Sequence, residues 1–322
     1  MTRLTAKQID QINKINIHAK AMKLGNRISE MEVISGTPVN AVNAGKILTV
    51  SGVVIDGEKV TIDNPTVAGS DVYEFLADAA QTKTTPTNKA VDISTYADKA
   101  AVVLTIDTQP VSGNTMTIGT KVFTFVPTGT ATGNGEIAIG TDLPATKINI
   151  VAAINGTDSI NTPHPLVSAA NFAANTCTIT ALVGGVAGNS IASTETITAG
   201  TDTFAAVTLL LGTNCTAANA ILALVSAITT LDTQGVSAVD GAGDTVELTA
   251  KVSGVAGNNI VIGKVMANAT FAGSATKLSA GVDGTVGSIN QEMVDATYMY
   301  RCVADNTIAG KNWRRISLGS AF

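Results

Sequence analysis

Residues 181–191 read ALVGGVAGNSI, and residues 250–260 read AKVSGVAGNNI. Setting Gly188 on Gly257 shifts the chain by 69 residues (257 − 188). The same shift puts Ile179 on Leu248, Thr180 on Thr249, Leu209 on Leu278 and Gly212 on Gly281. A register held from Ile179 to Gly212 marks a duplicated structural unit, since a chance pentapeptide would not keep it.

A second repeat lies upstream. LTVSGVVIDGEKVTID at 48–63 aligns with LTIDTQPVSGNTMTIG at 104–119, placing Leu48 on Leu104, Val60 on Met116 and Ile62 on Ile118, a shift of 56 (104 − 48). Both run on to an aromatic segment, DVYEFLAD at 71–78 and TKVFTFVPT at 120–128. Tyr73 and Phe75 therefore match Phe123 and Phe125 once a difference in loop length is allowed. The alternation in 48–63 around Asp56-Gly57 predicts a β-hairpin. ATKINIVAAING at 145–156 and ANAILALVSAITT at 218–230 carry apolar residues at helical spacing, Ile150, Val151 and Ile154 in one, Leu224, Val225 and Ile228 in the other. Each helix is followed by a threonine-containing strand and GVAGN.

The chain thus reads front half, front half, back half, back half. A front half alone would leave one face of its sheet uncovered. The economical arrangement is nesting, with a module of 101–212 inserted into another made of 45–100 and 213–284. Such insertion is tolerated where the inserted ends lie close together. Tandem units that find different partners are the competing arrangement. The fold class expected is α+β and β-rich: two related sandwich modules of strands with one short helix packed on a sheet, an N-terminal helical arm at 1–44 and a C-terminal β-hairpin segment at 285–322. Gly188 and Gly257 read as turn residues with a backbone role. Asn189 and Asn258 beside them suit a left-handed backbone or a bond to their own backbone.

Composition agrees with strands and tight turns. Of 322 residues, 45% are hydrophobic but only 14% charged and 4% aromatic, with 30 glycines, a mixture of pleat-filling and turn-forming residues. A net charge of −5 excludes nucleic acid as the main partner. No apolar run is long enough to span a bilayer, and MTRLTAKQIDQ is too polar for a secretory signal. The exception in charge is the beginning, where Arg3, Lys7, Lys14, Lys20, Lys23 and Arg27 face the single Asp10. There Ile9 and Ile12 belong to an apolar stripe that predicts an amphipathic helix from Thr5 to Leu24, stopped at Gly25-Asn26. It reads as a solvated helix or as an arm docking on an acidic partner surface.

Chemistry-bearing residues are few. His18 lies on the arm, and His164, in NTPHP, reads as a solvent-exposed loop residue. No zinc, nucleophile-elbow or phosphate-loop motif is present, so neither catalysis nor a cofactor or metal is expected. Asp240 and Asp244 in VDGAGD could contribute to a calcium site but read better as a strand-connecting turn. Cys177, Cys215 and Cys302 lack metal-like spacing and read as free thiols, with an intermolecular bridge as the alternative. At the end, ATYMYRCVA and NWRRISL form two strands around a turn near Asn306 to Gly310. Tyr298, Tyr300, Trp313 and Arg314 there make either a small aromatic cluster or a subunit contact.

LTVSG, DGEKVTI and DVYEF, followed by a helix, TITALVGGVAGNSI or ELTAKVSGVAGNNI and a closing Leu-x-x-Gly, resemble repeat modules of tailed-bacteriophage structural proteins. VDATYMYRCVADNTIAGKNWRRISLGS is similar to a C-terminal segment of phage virion proteins in which a Tyr-rich strand leads to Trp-Arg-Arg-Ile. The arm is similar to short basic beginnings of head-associated proteins. The resemblance covers about 45–322. It implies a capsid decoration protein, made in the host cytoplasm and bound to the outer surface of the head. Its partners would be the major capsid protein, through the arm, and other copies of itself, as in a trimer, with no nucleic acid or membrane contact. A tail tube, sheath or fibre subunit and a receptor- or glycan-binding module are the alternatives.

Overall fold

The computed structural model describes residues 34–35, 38–78, 80–81, 87–198, 200–273, 276–287, 291–294, 298–307 and 310–317. The predicted arm helix, with Arg3, Lys7, Ile9, Ile12, Lys14, Lys20, Lys23 and Arg27, lies outside the described residues. After β1 (Ile34–Ser35) the chain forms β2 (Asn43–Val50), β3 (Lys59–Asp63), β4 (Asp71–Leu76) and β5 (Asn88–Asp92). Then come β6 (Ala101–Thr105), β7 (Thr115–Ile118), β8 (Lys121–Val126) and β9 (Glu136–Ala138). Helix α1 (Leu143–Asn155) follows, with β10 (Val167–Ala169), β11 (Thr176–Ala181), β12 (Ser193–Glu195) and β13 (Thr203–Phe204). Helix α2 (Ala217–Leu231) precedes β14 (Val236–Gly241), β15 (Thr245–Ser253), β16 (Val261–Val265) and β17 (Ala269–Phe271). The chain closes with β18 (Glu292–Val294), β19 (Tyr298–Cys302) and β20 (Trp313–Ser317). The class is α+β and rich in β.

Asn43–Ala280 is one compact unit; the residues before Asn43 and after Ala280 form a second. Among the described residues the larger unit holds four four-stranded sheets. Orders β14-β15-β2-β17 and β16-β3-β4-β5 make a first sandwich, and β10-β11-β6-β13 and β12-β7-β8-β9 a second. The two match strand for strand, down to one parallel pair each, β4 with β5 and β8 with β9. Inward residues of both sheets fill a shared core. In the first these include Leu48, Val60, Ile62, Tyr73, Phe75, Val246 and Leu248. In the second they include Leu104, Met116, Ile118, Phe123, Phe125, Ile137 and Ile179. Period-2 alternation along β2, β3, β6 and β7 puts these residues inside and their neighbours outside.

The helices do not lie on a sheet face as the sequence predicts. Helix α2 packs against β14 and β5, and α1 against β10 and β9, the edge strands of the two sheets in each sandwich. An open sandwich exposes its apolar interior along that side, and the helix covers it with Ile221, Leu224 and Ile228, or with Ile150, Ala153 and Ile154. The start of α1 is fixed by Asp142, whose carboxylate accepts the Ala145 N–H at 2.9 Å. The start of α2 is fixed by Thr216, which accepts the Asn219 N–H at 3.4 Å.

The hairpin expected around Asp56-Gly57 is also corrected. Gly57 does take a left-handed backbone, φ 82°, but β2 and β3 belong to different sheets. The segment between them is a crossover, in which Val54 pairs with Cys215 and the Gly57 N–H donates to the Phe75 carbonyl at 2.8 Å. In the two front halves the hairpins are instead β3 with β4, joined by a long loop, and β7 with β8, turned at Gly119 with φ 57°. That loop accounts for the slip between the two aromatic segments.

In the smaller unit the sheet order is β1-β18-β19-β20. The C-terminal hairpin is therefore extended by β18 and, in parallel, by Ile34–Ser35, residues assigned from sequence to the arm. Met293, Cys302 and Trp313 form its core, with Tyr300 packed against them.

Candidate functional site

The repeated GVAGN is not a left-handed turn at its second glycine. Val186–Ser190 and Val255–Asn259 are short 3-10 turns, and the positive φ falls on the motif's first glycine, three residues earlier, at Gly185 (115°) and Gly254 (108°). Gly188 and Gly257 are needed for space. A Cβ on Gly188 would stand 2.7 Å from Ala100 Cβ and 3.2 Å from Ala181 Cβ; one on Gly257 would stand 2.9 Å from both Ala44 and Ala250 Cβ. Ala44 and Ala100 are related by the first repeat, Ala181 and Ala250 by the second, so both repeats meet in this one contact. Asn189 bonds at long range, not to its own backbone: its Nδ2–H donates to the Gly212 carbonyl at 3.1 Å and its Oδ1 accepts the Gly212 N–H at 2.8 Å. Asn258 holds the matching place in the second turn.

Beside the turn of the second sandwich lies a groove of about 590 Å³. Pro165, Leu166, Val183, Val186 and Ile191 make it apolar, and Ile55 and Asp56 of the crossover close its other side. Its wall is held by hydrogen bonds: Asn214 Oδ1 accepts the Val186 N–H at 2.9 Å, the Gly185 N–H reaches the Asp98 carbonyl at 2.9 Å, and Asp56 Oδ1 accepts the Ala77 N–H at 2.8 Å. Ile55, Leu166 and Asn214 were not singled out from sequence. The only advance signal was their nearness in the chain to the repeated motifs.

The expected C-terminal cluster is divided by the pleat. Trp313 is buried in the core, its Nε1–H donating to the Thr285 carbonyl at 2.7 Å. Tyr298 and Tyr300 stand edge to face with centroids 6.4 Å apart. Arg314 follows Trp313 and so points to the opposite face, where it sits opposite Arg301 and donates to the Lys311 carbonyl at 2.9 Å. The arginine that joins the tyrosines is Arg315, 4.3 Å from the Tyr298 ring.

His164 is not an exposed loop residue. It is buried, Nδ1 accepting the N–H groups of Leu166 (3.1 Å) and Val167 (3.2 Å) while Nε2–H donates to the Ile118 carbonyl at 3.0 Å. Burial holds its pKa below the usual histidine value, against the pull of the Ile118 carbonyl; the charge of Lys121 lowers it further. Cys177, Cys215 and Cys302 are free and buried, and burial pushes the Cys177 and Cys215 thiols up to about 11, which leaves them protonated and poor nucleophiles at neutral pH. Asp240 and Asp244 are exposed on the β14–β15 hairpin. Among the described residues no three His, Cys, Asp or Glu side chains converge on one point, and no helix is long and apolar enough to cross a membrane. No protein-family model matches this chain, and no curated protein or solved structure matches it.

Proposed function

We propose that the chain is a structural protein of a tailed-bacteriophage virion, decorating and stabilising the outer surface of the head. The basic arm docks on major capsid protein, and the sandwiches contact other copies of the chain, in a trimer. The supporting observation is what the two sandwiches share. Their matched residues are packing residues, Ala44 with Ala100, Leu48 with Leu104 and Gly188 with Gly257, as suits a protein whose product is a durable body. Weak contacts repeated over a lattice then sum to firm attachment.

The second sandwich is read as a module of 101–212 nested in one made of 45–100 and 213–284. In support, its ends meet: Ala101 and Leu210 exchange two backbone hydrogen bonds of 2.9 Å each. A chain lacking 101–212, with Ala100 joined through a short glycine linker to Thr213, is then expected to keep a folded first sandwich. An unfolded product from that deletion and from a longer-linker version rejects nesting.

Cryo-electron microscopy of purified virions tests the function. Density for this chain over the outer head, lost when residues 1–34 are deleted, is the expected result. Density confined to the tail replaces decoration with tail assembly, and a truncated chain that still saturates heads removes the arm from the mechanism.

A further inference from the structure

Just before β13 the second sandwich buries a carboxylate that the first does without. β13 pairs Thr203 with Thr105 and Phe204 with Leu104, and β17 pairs Thr270 with Thr49 and Phe271 with Leu48. Because Leu104 matches Leu48, Asp202 stands where the first sandwich has Ala269. Both are buried, at 5% and 3% exposure. In the first sandwich the joint closes through backbone, the Ser51 N–H donating to the Asn268 carbonyl at 2.7 Å. In the second, Asp202 Oδ1 accepts the N–H groups of Asp107 and, at 3.1 Å, Thr108. Asp202 Oδ2 is buried with no hydrogen-bond partner among the described residues.

Asp107, tied to Asp202 by its own N–H, brings a second carboxyl to this place. It is held by the Thr201 hydroxyl, by the Thr201 N–H at 3.1 Å and by the Thr108 hydroxyl at 2.9 Å. Two neighbouring carboxylates of which one is buried repel unless a proton or a cation offsets the charge. Ala269 shows that the fold itself needs no acid here, so the pair requires another reason.

We propose that Asp107 and Asp202, with the hydroxyls of Thr201 and Thr108 beside them, form a calcium-binding site. Asp202 Oδ2 offers a buried carboxyl oxygen with no hydrogen-bond partner among the described residues, Asp107 a second carboxylate and the threonines neutral oxygens. Thr201 is exposed, leaving water a way to complete the shell. Calcium accepts an irregular set of six to eight oxygens, whereas magnesium demands a regular octahedron. With only two carboxylates the affinity belongs to the weak range, about 10⁻⁴–10⁻³ M. The ion would tie the loop after β6 to the start of β13, fastening a strand of two residues. Without it, hydrogen bonds from Thr201 and Thr108 draw Asp107 down to about 2 while burial pushes Asp202 up, the divergence of two carboxyls that share one charge.

The test compares the full chain with Asp202→Ala, which installs the first sandwich's own residue, and with Asp107→Asn. After chelator treatment, each is titrated with calcium chloride by calorimetry and melted with and without it. The expected result is saturable binding of one ion and a melting temperature raised by a few degrees in the original chain, both lost in the two variants. Equal responses in all three proteins overturn the proposal. So does an original chain that ignores calcium but grows more stable as pH falls toward 4, because that outcome assigns the pair to a shared proton.

Discussion

The two sandwiches agree where backbone meets backbone and differ where side chains meet loops. In the crossovers, Gly113 donates to the Phe125 carbonyl as Gly57 does to that of Phe75, at 2.9 and 2.8 Å, and beyond the GVAGN turns the Leu209 and Leu278 N–H groups reach the carbonyls of Ile191 and Ile260 at 3.0 Å. At the base of the central hairpin, by contrast, Ile62 sits opposite Asp71 in one and Ile118 opposite Lys121 in the other. Buried Asp71 accepts the Thr233 N–H and hydroxyl at 2.7 Å each, with Lys89 Nζ at 3.6 Å, and burial with this carboxylate pushes the Tyr73 phenol up. The second sandwich seals the same place with Lys121, donating to the Thr162 carbonyl at 3.0 Å, and with neutral His164. Close backbone contacts admit few solutions, whereas a buried polar plug needs only to be fully hydrogen-bonded, by whatever groups.

The largest effect is expected in the aromatic cores. Phe75→Ala in the first sandwich and Phe125→Ala in the second should each cost about 3–5 kcal/mol. If the sandwiches are separate bodies, hydrogen exchange in Phe125→Ala will rise over β6 to β13 and stay unchanged over β2 to β5. A uniform rise would mean that they unfold as one.

Next are the second glycines of the GVAGN turns. Gly188→Ala and Gly257→Ala should each cost about 1–3 kcal/mol by overpacking, measured by urea denaturation. Ala100→Gly should recover part of the first loss and Ala44→Gly part of the second. A penalty at one glycine only would break the equivalence.

These positions also show what was legible in the sequence. Gly188, Gly257 and the alternating core residues repeat because space and pleat constrain them, so the duplication exposed the fold. The crossover at Asp56-Gly57 was hidden, because two strands on facing sheets bury alternate residues toward one core just as hairpin neighbours do. The burial of His164 is not legible in NTPHP, because polar neighbours conceal that its ring is held by backbone alone, the Leu166 and Val167 N–H groups just beyond it and the Ile118 carbonyl on a distant strand. The separation of Arg314 from Trp313 was readable from strand parity. Asp202 was readable too, since β13 and β17 align through Thr-Phe with Asp against Ala, but only once the pairing fixed a shift of 67 there (271 − 204).

A smaller, pH-dependent difference should separate the plugs. His164 is bound neutral, its folded pKa below the unfolded value of about 6.5. Above that value the imidazole is neutral in both states and costs nothing. As pH falls from about 6.5 toward the folded pKa, the unfolded chain takes up a proton that the folded one refuses, and stability drops by at most about 1.4 kcal/mol per pH unit. The original chain should therefore lose more stability between pH 7.5 and 5.5 than His164→Gln does, as read by thermal melting. Identical pH profiles would show that the imidazole is not held neutral.

The smallest effect concerns a strain that both sandwiches keep. Leu211 and Ala280, again 69 residues apart (280 − 211), take left-handed backbones with φ of 69° and 64°. That conformation costs a residue with a Cβ about 1–2 kcal/mol, and glycine relieves it at the expense of about 0.5–1 kcal/mol of additional chain entropy. Ala280→Gly should then stabilise by some tenths of a kcal/mol. Leu211 is 86% exposed, so its side chain has little packing to lose, and Leu211→Gly should give the same gain in the isolated protein. Equal gains, measured by thermal melting, would assign both residues to backbone geometry alone. A gain at Ala280 with a loss at Leu211 would show that the leucine, exposed as it is, holds something in place that its counterpart does not.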